Sequence, residues 1–267
     1  KGDLDDAIEC YAHALQLRPD FAEAHRNLGH ALKEKGDYAA AIGRYITSLE
    51  IKPDDVEARD NLGGAYFDSG CYEEALESYD RADTPKARAD SLACLYALGR
   101  YDEFERRVQD NLDLDKTNLR VASVCSFASD QIGRDIFHPF CKDPLDFINF
   151  GHVRDHTDDA DDFIDALDAE LSQAPAVWEP VMHTTVHGFH THGNLFETSS
   201  DNIVRLEGVI KQEMSAYFEK FKADPCLLMQ MWPRDLNITG WSVRLRQYGF
   251  QSSHIHPAGW LSGVVYV

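Results

Sequence analysis

The fold of the first half is decided by residues 21–53, which read FAEAHRNLGHALKEKGDYAAAIGRYITSLEIKP. Apolar residues recur at helical spacing in two runs, Phe21–Lys35 and Tyr38–Ile51. Gly36 is placed to end the first helix and Pro53 to stop the second. Glycine readily adopts the left-handed conformation that follows a helix, and proline lacks the amide hydrogen that continues one. The stretch therefore predicts a helix pair.

This helix pair recurs along the chain with a period of about 34 residues. An offset of one period superposes three glycines, three alanines and three tyrosines, namely Gly2, Gly36 and Gly70; Ala7, Ala41 and Ala75; and Tyr11, Tyr45 and Tyr79. The period and the matched residues resemble the tetratricopeptide repeat. One helix pair cannot bury its apolar face alone, so the resemblance implies an all-α solenoid whose neighbouring units share one core.

The solenoid is predicted to occupy residues 1–134. Its register slips once, because the glycine that follows Gly70 is Gly99, which comes earlier than the period requires. Lys86–Leu114 is predicted to be a degenerate fourth unit, and Thr117–Ile132 a capping helix. The sequence opens on residues that match the second helix of a unit, so we expect further repeats upstream. Such an array is predicted to hold a protein or peptide partner on its concave face; the alternative is a spacer that only positions the next domain.

Composition excludes some partners. The chain has 46 acidic and 26 basic residues in 267, a formal net charge of -20, which would repel a phosphate backbone. No apolar run approaches the roughly 18 residues that a membrane span needs. The six cysteines form no C-x-x-C pair and are predicted to be buried apolar residues in a reducing compartment. We therefore expect a cytoplasmic protein that binds neither nucleic acid nor membrane.

The second half changes character. The repeat period is lost near Phe137, and residues 135–146 are predicted to be a linker. Beyond the linker, the patterns predict a short strand at Phe147–Val153, helices at Asp158–Leu171 and Asp201–Phe221, and β-like runs at Trp241–Arg246 and Leu261–Val267. The amphipathic helix Asp201–Phe221 is expected to pack on a sheet. The order is helices first, then a run of antiparallel strands.

Two histidines within the β-like region carry a candidate chemistry. Residues 251–267 read QSSHIHPAGWLSGVVYV. In a strand, residues i and i+2 point to the same side, so His254 and His256 would present both imidazoles to one face. Two nitrogen donors on one face suit a divalent transition metal.

Residues 241–267 resemble the metal-binding strand pair of the iron(II)/2-oxoglutarate oxygenases, in particular the bacterial and phage branch that reads H-x-H-P followed by L-S-G-V-x-Y. Thr184–Phe196 resembles the segment that precedes the barrel in that branch. The resemblance implies that residues 147–267 are a double-stranded β-helix, a jelly-roll-like barrel with flanking helices. It also implies a dioxygenase that binds iron(II) and 2-oxoglutarate and hydroxylates a substrate with dioxygen. The chain is thus predicted to be a multi-domain α and β protein.

The resemblance also assigns site residues. His254 is the predicted metal ligand. The family usually places a carboxylate where this chain has His256, so His256 is either a substitute nitrogen ligand or a group beside the ligands. Tyr266 and Gln251 match positions that contact 2-oxoglutarate. The family's second metal histidine and its 2-oxoglutarate-binding arginine come from later strands, so we expect a fragment whose C-terminal strands are missing; no catalytic side chain is assigned.

Other interpretations stay open. A second histidine cluster, His183, His187, His190 and His192, has spacing that would allow zinc binding on a helix, whereas its neighbours favour extended chain that lines a substrate mouth. A cupin-like metalloprotein requires a glutamate three or four residues after its second histidine, where this chain has Trp260. The remaining alternative is a non-catalytic scaffold with a degenerate barrel.

Overall fold

The structure is a computed structural model that describes residues 2–141, 143–180, 184–252 and 261–266. The chain divides into two compact units, Lys1–Pro139 and Phe140–Val267. Within the described ranges, no helix combines the length and the apolar character that crossing a membrane requires. The division into a repeat domain at 1–134, a linker at 135–146 and an oxygenase-type domain at 147–267 stays a prediction.

The first unit is a stack of helices. In chain order they are α1 (Gly2–Leu17), α2 (Ala22–Glu34), α3 (Tyr38–Ile51), α4 (Val56–Asp68), α5 (Tyr72–Ala82), α6 (Pro85–Ala97), α7 (Tyr101–Asp110), α8 (Leu112–Asp115) and α9 (Leu119–Ile132). The predicted helix pair is confirmed as α2 and α3, and α9 corresponds to the predicted capping helix. Gly36 and Gly70, at φ of 83° and 82°, end α2 and α4 in the left-handed conformation.

The early position of Gly99 in the repeat has a local cause. Helix α5 has 11 residues where α3 has 14, and the loop after it, 83–84, is two residues shorter than the loop 52–55 after α3. Together these differences account for the early position of Gly99. Asp83, in a left-handed conformation, turns the chain, and Thr84 then caps α6 by accepting from the amide of Ala87.

Two helix pairs, α2 with α3 and α4 with α5, are each closed by a tyrosine that lies across a glycine. Tyr45 and Tyr79 are 0% and 3% exposed. A methyl group added to Gly29 would lie 2.9 Å from the ring of Tyr45, and one added to Gly63 would lie 2.7 Å from the ring of Tyr79. Glycine therefore lets the first helix approach the tyrosine of the second. Burial raises the pKa of both phenols far above the usual value, so the rings stay neutral.

The end of the repeat array holds a polar cavity of about 150 Å³ between α5, α6, α7 and α9. Arg88 binds Asp115 with two nitrogens, Nε at 2.9 Å from Oδ2 and Nη2 at 2.8 Å from Oδ1. His138 is 2% exposed, and its Nε2 donates to the carbonyl oxygen of Asp115 at 3.2 Å. Because Arg88 satisfies the carboxylate of Asp115, we interpret this cavity as part of the folded framework.

The second unit combines helices with one small sheet. The helices are α10 (Ala160–Gln173), α11 (Asp201–Phe221) and α12 (Leu227–Gln230); the strands are β1 (Ala176–Trp178), β2 (Thr185–Thr191) and β3 (Val243–Gln251); short 3-10 turns cover Pro144–Phe147, Val153–Asp155 and Leu195–Glu197. The sheet has the order β1-β2-β3 and both pairings are antiparallel. A buried apolar cluster joins Phe163 and Leu167 of α10 to Ile203 and Leu206 of α11.

Three sequence-based expectations are wrong. Phe147–Val153 is not a strand, because its polar groups bind side chains of α11: Tyr217 donates to the carbonyl oxygen of Phe147 at 2.9 Å, and Asn149 donates to Glu213 at 2.8 Å. Helix α11 packs against α10 rather than on a sheet. Residues 261–266 contain no strand. The β-strands that the structure describes form one three-stranded sheet, so the double-stranded β-helix stays a prediction.

The cysteines also depart in part from expectation. Cys94, Cys125 and Cys141 are buried, whereas Cys10 and Cys71 are exposed. Cys226 is half-buried. The exposed pair lies on the solvent side of α1 and at the residue before α5, where no neighbouring helix covers it among the described residues. The prediction that all six are buried is therefore wrong.

The packing of tyrosine against glycine predicts that alanine substitutions at two glycines change the free energy of unfolding in opposite directions. Gly63→Ala should lower the free energy of unfolding by about 1–3 kcal/mol, because the new methyl group overpacks against Tyr79. Gly43→Ala, in the exposed middle of α3 with open space at its Cβ, should raise it by about 0.5–1 kcal/mol. Urea denaturation measures both. Equal effects of the two variants would contradict the packing argument.

His138 predicts a pH dependence of stability. Burial lowers the pKa of His138 from 6.5 in the folded chain. As the pH falls below about 6.5, the unfolded chain takes up this proton first, so stability should fall until the folded-state pKa is reached. The urea midpoint of the unchanged chain should drop over this window more steeply than that of His138→Gln. Identical pH slopes would show that His138 is not protected from protonation.

Candidate functional site

One polar face of the first unit is formed by α2, α4 and α6, the first helix of each successive pair. We call it the first-helix face, and it carries the side chains Arg26, Asn27, Lys33, Glu57, Asp60, Asn61, Asp68, Lys86 and Asp90. Ion pairs join α2 to α4 and α4 to α6 across this face. Successive first helices are therefore neighbours, and their side chains form a continuous surface.

At the α2 end of the face, two cations reach α4 or the residue that caps it. Arg26 Nη1 lies 3.0 Å from Asp55 Oδ2 and 3.0 Å from Glu57 Oε2. Lys33 Nζ lies 2.8 Å from Asp68 Oδ2. Partly exposed pairs of this kind each contribute only about 0–1 kcal/mol to stability. Their larger effect is to set the order of charges along the face.

At the α6 end, one lysine serves two carboxylates. Lys86 Nζ lies 2.8 Å from Asp60 Oδ2 and 2.7 Å from Asp90 Oδ2. Burial alone would lower the pKa of Lys86, but the hydrogen bonds to Asp60 and Asp90 outweigh it and raise that pKa. The amine therefore stays charged. Asp60 Oδ1 is buried and has no hydrogen-bond partner among the described residues.

Two side-chain amides occupy equivalent positions on the same face. Asn27 and Asn61 lie one repeat period apart, on α2 and α4, and both are half-buried. Neither amide group makes a hydrogen bond within the described part of the chain. Each carries both a donor and an acceptor, so the pair presents complementary groups to a ligand that lies across the helices.

The sheet of the second unit has one aromatic and cationic face. Trp178, Phe189 and Arg244 are direct neighbours in the register of β1, β2 and β3. The rings of Trp178 and Phe189 are 5.0 Å apart, and the guanidinium groups of Arg244 and Arg246 lie 5.5 and 5.7 Å from the Phe189 ring. Arg244 also donates to the carbonyl oxygen of Ser172 at 2.6 Å. Cation–π contacts of this kind stabilise the pairing of β2 with β3.

Of the four predicted site residues, the structure describes two. Gln251 ends β3, and its Nε2 lies 3.4 Å from Thr185 Oγ1 on β2. Tyr266 is 88% exposed and lies outside any strand. His254 and His256 lie outside the described residues. Their role as metal ligands, and the roles of Gln251 and Tyr266 beside 2-oxoglutarate, stay predictions.

The second histidine cluster is described in part. His183 lies outside the described residues, and the extended conformation expected for its neighbours is confirmed by β2. His190 is buried, donates from Nδ1 to the carbonyl oxygen of Thr191 and stacks on Trp241 at 5.6 Å. His187 stacks on a different ring, Trp178, at 6.5 Å. In the described ranges, no group of three or more histidine, cysteine or acidic side chains is arranged to hold a metal ion.

Sequence reasoning missed the two asparagines. The signal was present, because the offset of one repeat period that superposes the glycines also superposes Asn27 on Asn61. The ion pairs of the first-helix face had no such signal. They join residues of unlike type across neighbouring helices, as in Lys33 with Asp68 and Lys86 with Asp60, and only the packed structure shows which charges meet.

A family model matches the helical part of the chain. Residues 1–36 and 29–70 match the family model of the TPR repeat. No curated protein matches the chain. A crystal structure of MamA is similar at 22% identity, with 51% of this chain and 83% of that chain covered and a TM-score of 0.46.

Two further solved structures are similar over about the same share of the chain. A MamA RS-1 ArsTM double mutant is 17% identical, with 49% of this chain and 76% of that chain covered and a TM-score of 0.44. A further MamA crystal structure is 22% identical, with 50% and 75% covered and a TM-score of 0.44. Period, helix pairs and family model agree, so residues 1–70 of this chain are tetratricopeptide repeats.

Proposed function

We propose that the first unit binds a protein or peptide partner on the first-helix face, taken as the concave side of the repeat array. Tetratricopeptide repeats present an extended surface built from successive helices, and such surfaces suit extended chains. The single observation that carries the proposal is a pair of solvent-accessible amides, Asn27 and Asn61, which repeat on consecutive first helices and make no hydrogen bond within the described residues.

The spacing of the two amides matches the spacing of residues along the main chain of an extended peptide. Packed helices lie about 8–10 Å apart, and an extended peptide rises about 3.3 Å per residue. Amides on consecutive first helices would therefore meet every third residue of a peptide that crosses them. Each amide is able to donate to a carbonyl oxygen and to accept from an amide hydrogen, which holds the backbone whatever its side chains are.

The proposal predicts that the two amides act together in binding. For a peptide selected from a random library displayed on phage, Asn27→Ala with Asn61→Ala should weaken binding by about tenfold, the loss expected for a few net hydrogen bonds. Gln16→Ala, an exposed amide on α1, is the matched control and should change little. Fluorescence anisotropy measures the affinities. Failure to select any peptide would favour the spacer.

For the second unit we propose an iron(II)/2-oxoglutarate oxygenase. What supports it is the placement of the two segments that carry the resemblance. They are far apart in sequence, yet they pair as β2 and β3, with Thr185 opposite Gln251 and Phe189 opposite Arg244. Asn194, which follows β2, accepts from the amide of Gly240 at 3.0 Å, next to the start of the second segment.

The two imidazole groups of the motif are suitable donors for ferrous iron, since neutral imidazole nitrogens are common ligands of this metal. His254 and His256 would hold it, and iron with bound 2-oxoglutarate would supply the dioxygen chemistry of hydroxylation. Gln251 comes three residues before His254, and its hydrogen bond to Thr185 orients its side chain toward β2. The repeats would bring a protein or peptide substrate to this unit.

Metal binding tests this second function. Calorimetric titration without oxygen, on the protein extended by the C-terminal strands that the resemblance implies, should show iron(II) binding, and 2-oxoglutarate binding only when iron is present. His254→Ala should abolish both, because one of two proposed imidazole ligands is lost. His13→Ala, on α1, is the control and should bind both as before.

The other possible results of this titration distinguish between the alternative functions. Iron binding without 2-oxoglutarate binding would favour the cupin-like metalloprotein. No iron binding at all would favour the non-catalytic scaffold. Iron binding that survives His254→Ala would move the metal to other residues and contradict the assignment of this motif.

A further inference from the structure

We propose that the partner of the first-helix face is a basic peptide segment, rich in lysine and arginine, whose cations meet the carboxylates and aromatic rings of that face. This inference rests on the proposed peptide binding by the repeats and names the chemical class of the peptide.

The ion pairs of the first-helix face contain more carboxylates than cations. Across α2, α4 and α6, three cations face five carboxylates: Arg26, Lys33 and Lys86 against Asp55, Glu57, Asp60, Asp68 and Asp90. Arg26 and Lys86 each contact two carboxylates. The paired groups therefore carry an excess of two negative charges, and each of the three cations is already engaged.

The other arginines of these helices do not relieve this excess, since Arg88 of α6 binds Asp83 and Asp115. Arg59 of α4 is turned to the carbonyl oxygen of Pro53 rather than to a carboxylate. Asp60 receives one hydrogen bond, from Lys86, and its Oδ1 has none among the described residues. Asp60 and Asp90 thus share a single positive charge, which compensates one carboxylate but not two.

Aromatic side chains also lie on the first-helix face. Phe67 of α4 and Tyr96 of α6 stand three residues before Gly70 and Gly99, the position that Lys33 holds on α2 before Gly36. Phe127 of α9 contacts Tyr96, and we call these three side chains the aromatic row. Tyr96 and Phe127 touch edge to face at 5.3 Å between ring centroids, and Phe127 is 55% exposed. Aromatic faces attract lysine and arginine, and arginine most readily because its flat group stacks.

Next to the aromatic row, one arginine of the chain already contacts both an aromatic ring and a carboxylate. The guanidinium of Arg134 lies 5.9 Å from the ring of Tyr101 and 2.7 Å from Asp102. Tyr101 in turn lies 6.0 Å from Tyr96 of the row. A peptide cation placed on the row would find the same combination, a ring on one side and carboxylates on the other.

Long-range electrostatics acts in the same direction. The whole chain carries a formal charge of -20, so it attracts cationic segments and repels acidic ones before contact. An acidic peptide on the face would meet five carboxylates, while the three cations of these ion pairs already have partners. Complementary charge of this kind mainly sets partner choice and association rate.

The experiment compares two labelled peptides of equal length, one alternating lysine or arginine with leucine and serine, the other with glutamate at each basic position. Fluorescence anisotropy measures their binding to the full chain at low salt and at about 0.15 M salt, where exposed charges are screened beyond about 8 Å. The basic peptide should bind and weaken as salt rises. The acidic peptide should not bind.

A matched pair of double variants then locates the site. Glu57→Lys with Asp68→Lys changes the first-helix face, whereas Glu9→Lys with Glu50→Lys makes the same charge change on α1 and α3. The first should weaken binding of the basic peptide by about tenfold or more, as expected when close charge pairs are reversed. The control should lose no more than about twofold, the small effect of a distant screened charge. Circular dichroism confirms that both variants fold.

Every outcome decides the inference. Equal losses in the two double variants would mean that the overall charge, not this face, attracts the peptide. Binding of the acidic peptide, or of selected neutral peptides unaffected by Glu57→Lys with Asp68→Lys, would overturn the inference and leave peptide binding intact. A chain that binds no peptide of any composition would overturn both.

Discussion

The close approach of two helices at a glycine is the constraint on which the repeat unit depends. Gly29 and Gly63 leave room for the rings of Tyr45 and Tyr79, so the two helices of each pair meet at a fixed depth. That contact orients the first helices with one side in the core and the other in solvent. The ion pairs and amides of the first-helix face occupy their positions because this packing holds α2, α4 and α6 side by side.

Sequence predicted the helical half well because the helix pattern is local and repeats. The bounds of α3 and α11 are those predicted, Tyr38–Ile51 and Asp201–Phe221, since caps and apolar spacing define both ends. The fourth unit was recognised only as degenerate. A shorter α5 and a tighter turn at Asp83 shift every later residue, and spacing alone does not show which element lost residues.

The second half was harder for a physical reason. The segment Phe147–Val153 has the composition of a strand, but its backbone and amide groups bind Tyr217 and Glu213 of a helix that lies far along the chain. Such partners are invisible to a local pattern. The pairing of β2 with β3 was not predicted either, because it joins residues that lie far apart in sequence. The metal ligands assigned from the resemblance, His254 and His256, lie outside the described residues.

Along the first-helix face, the third first helix carries a different polar group from the first two. Counting from the glycine that ends each first helix, Asn27 and Asn61 are equivalent, and the same position on α6 is Asp90. Two neutral amides, which both donate and accept hydrogen bonds, are thus followed by a carboxylate, which only accepts them. A peptide lying across the three helices would therefore make two similar contacts and one different contact. It would therefore have a preferred polarity, with its cationic end over α6, and reversing its sequence would not preserve the fit.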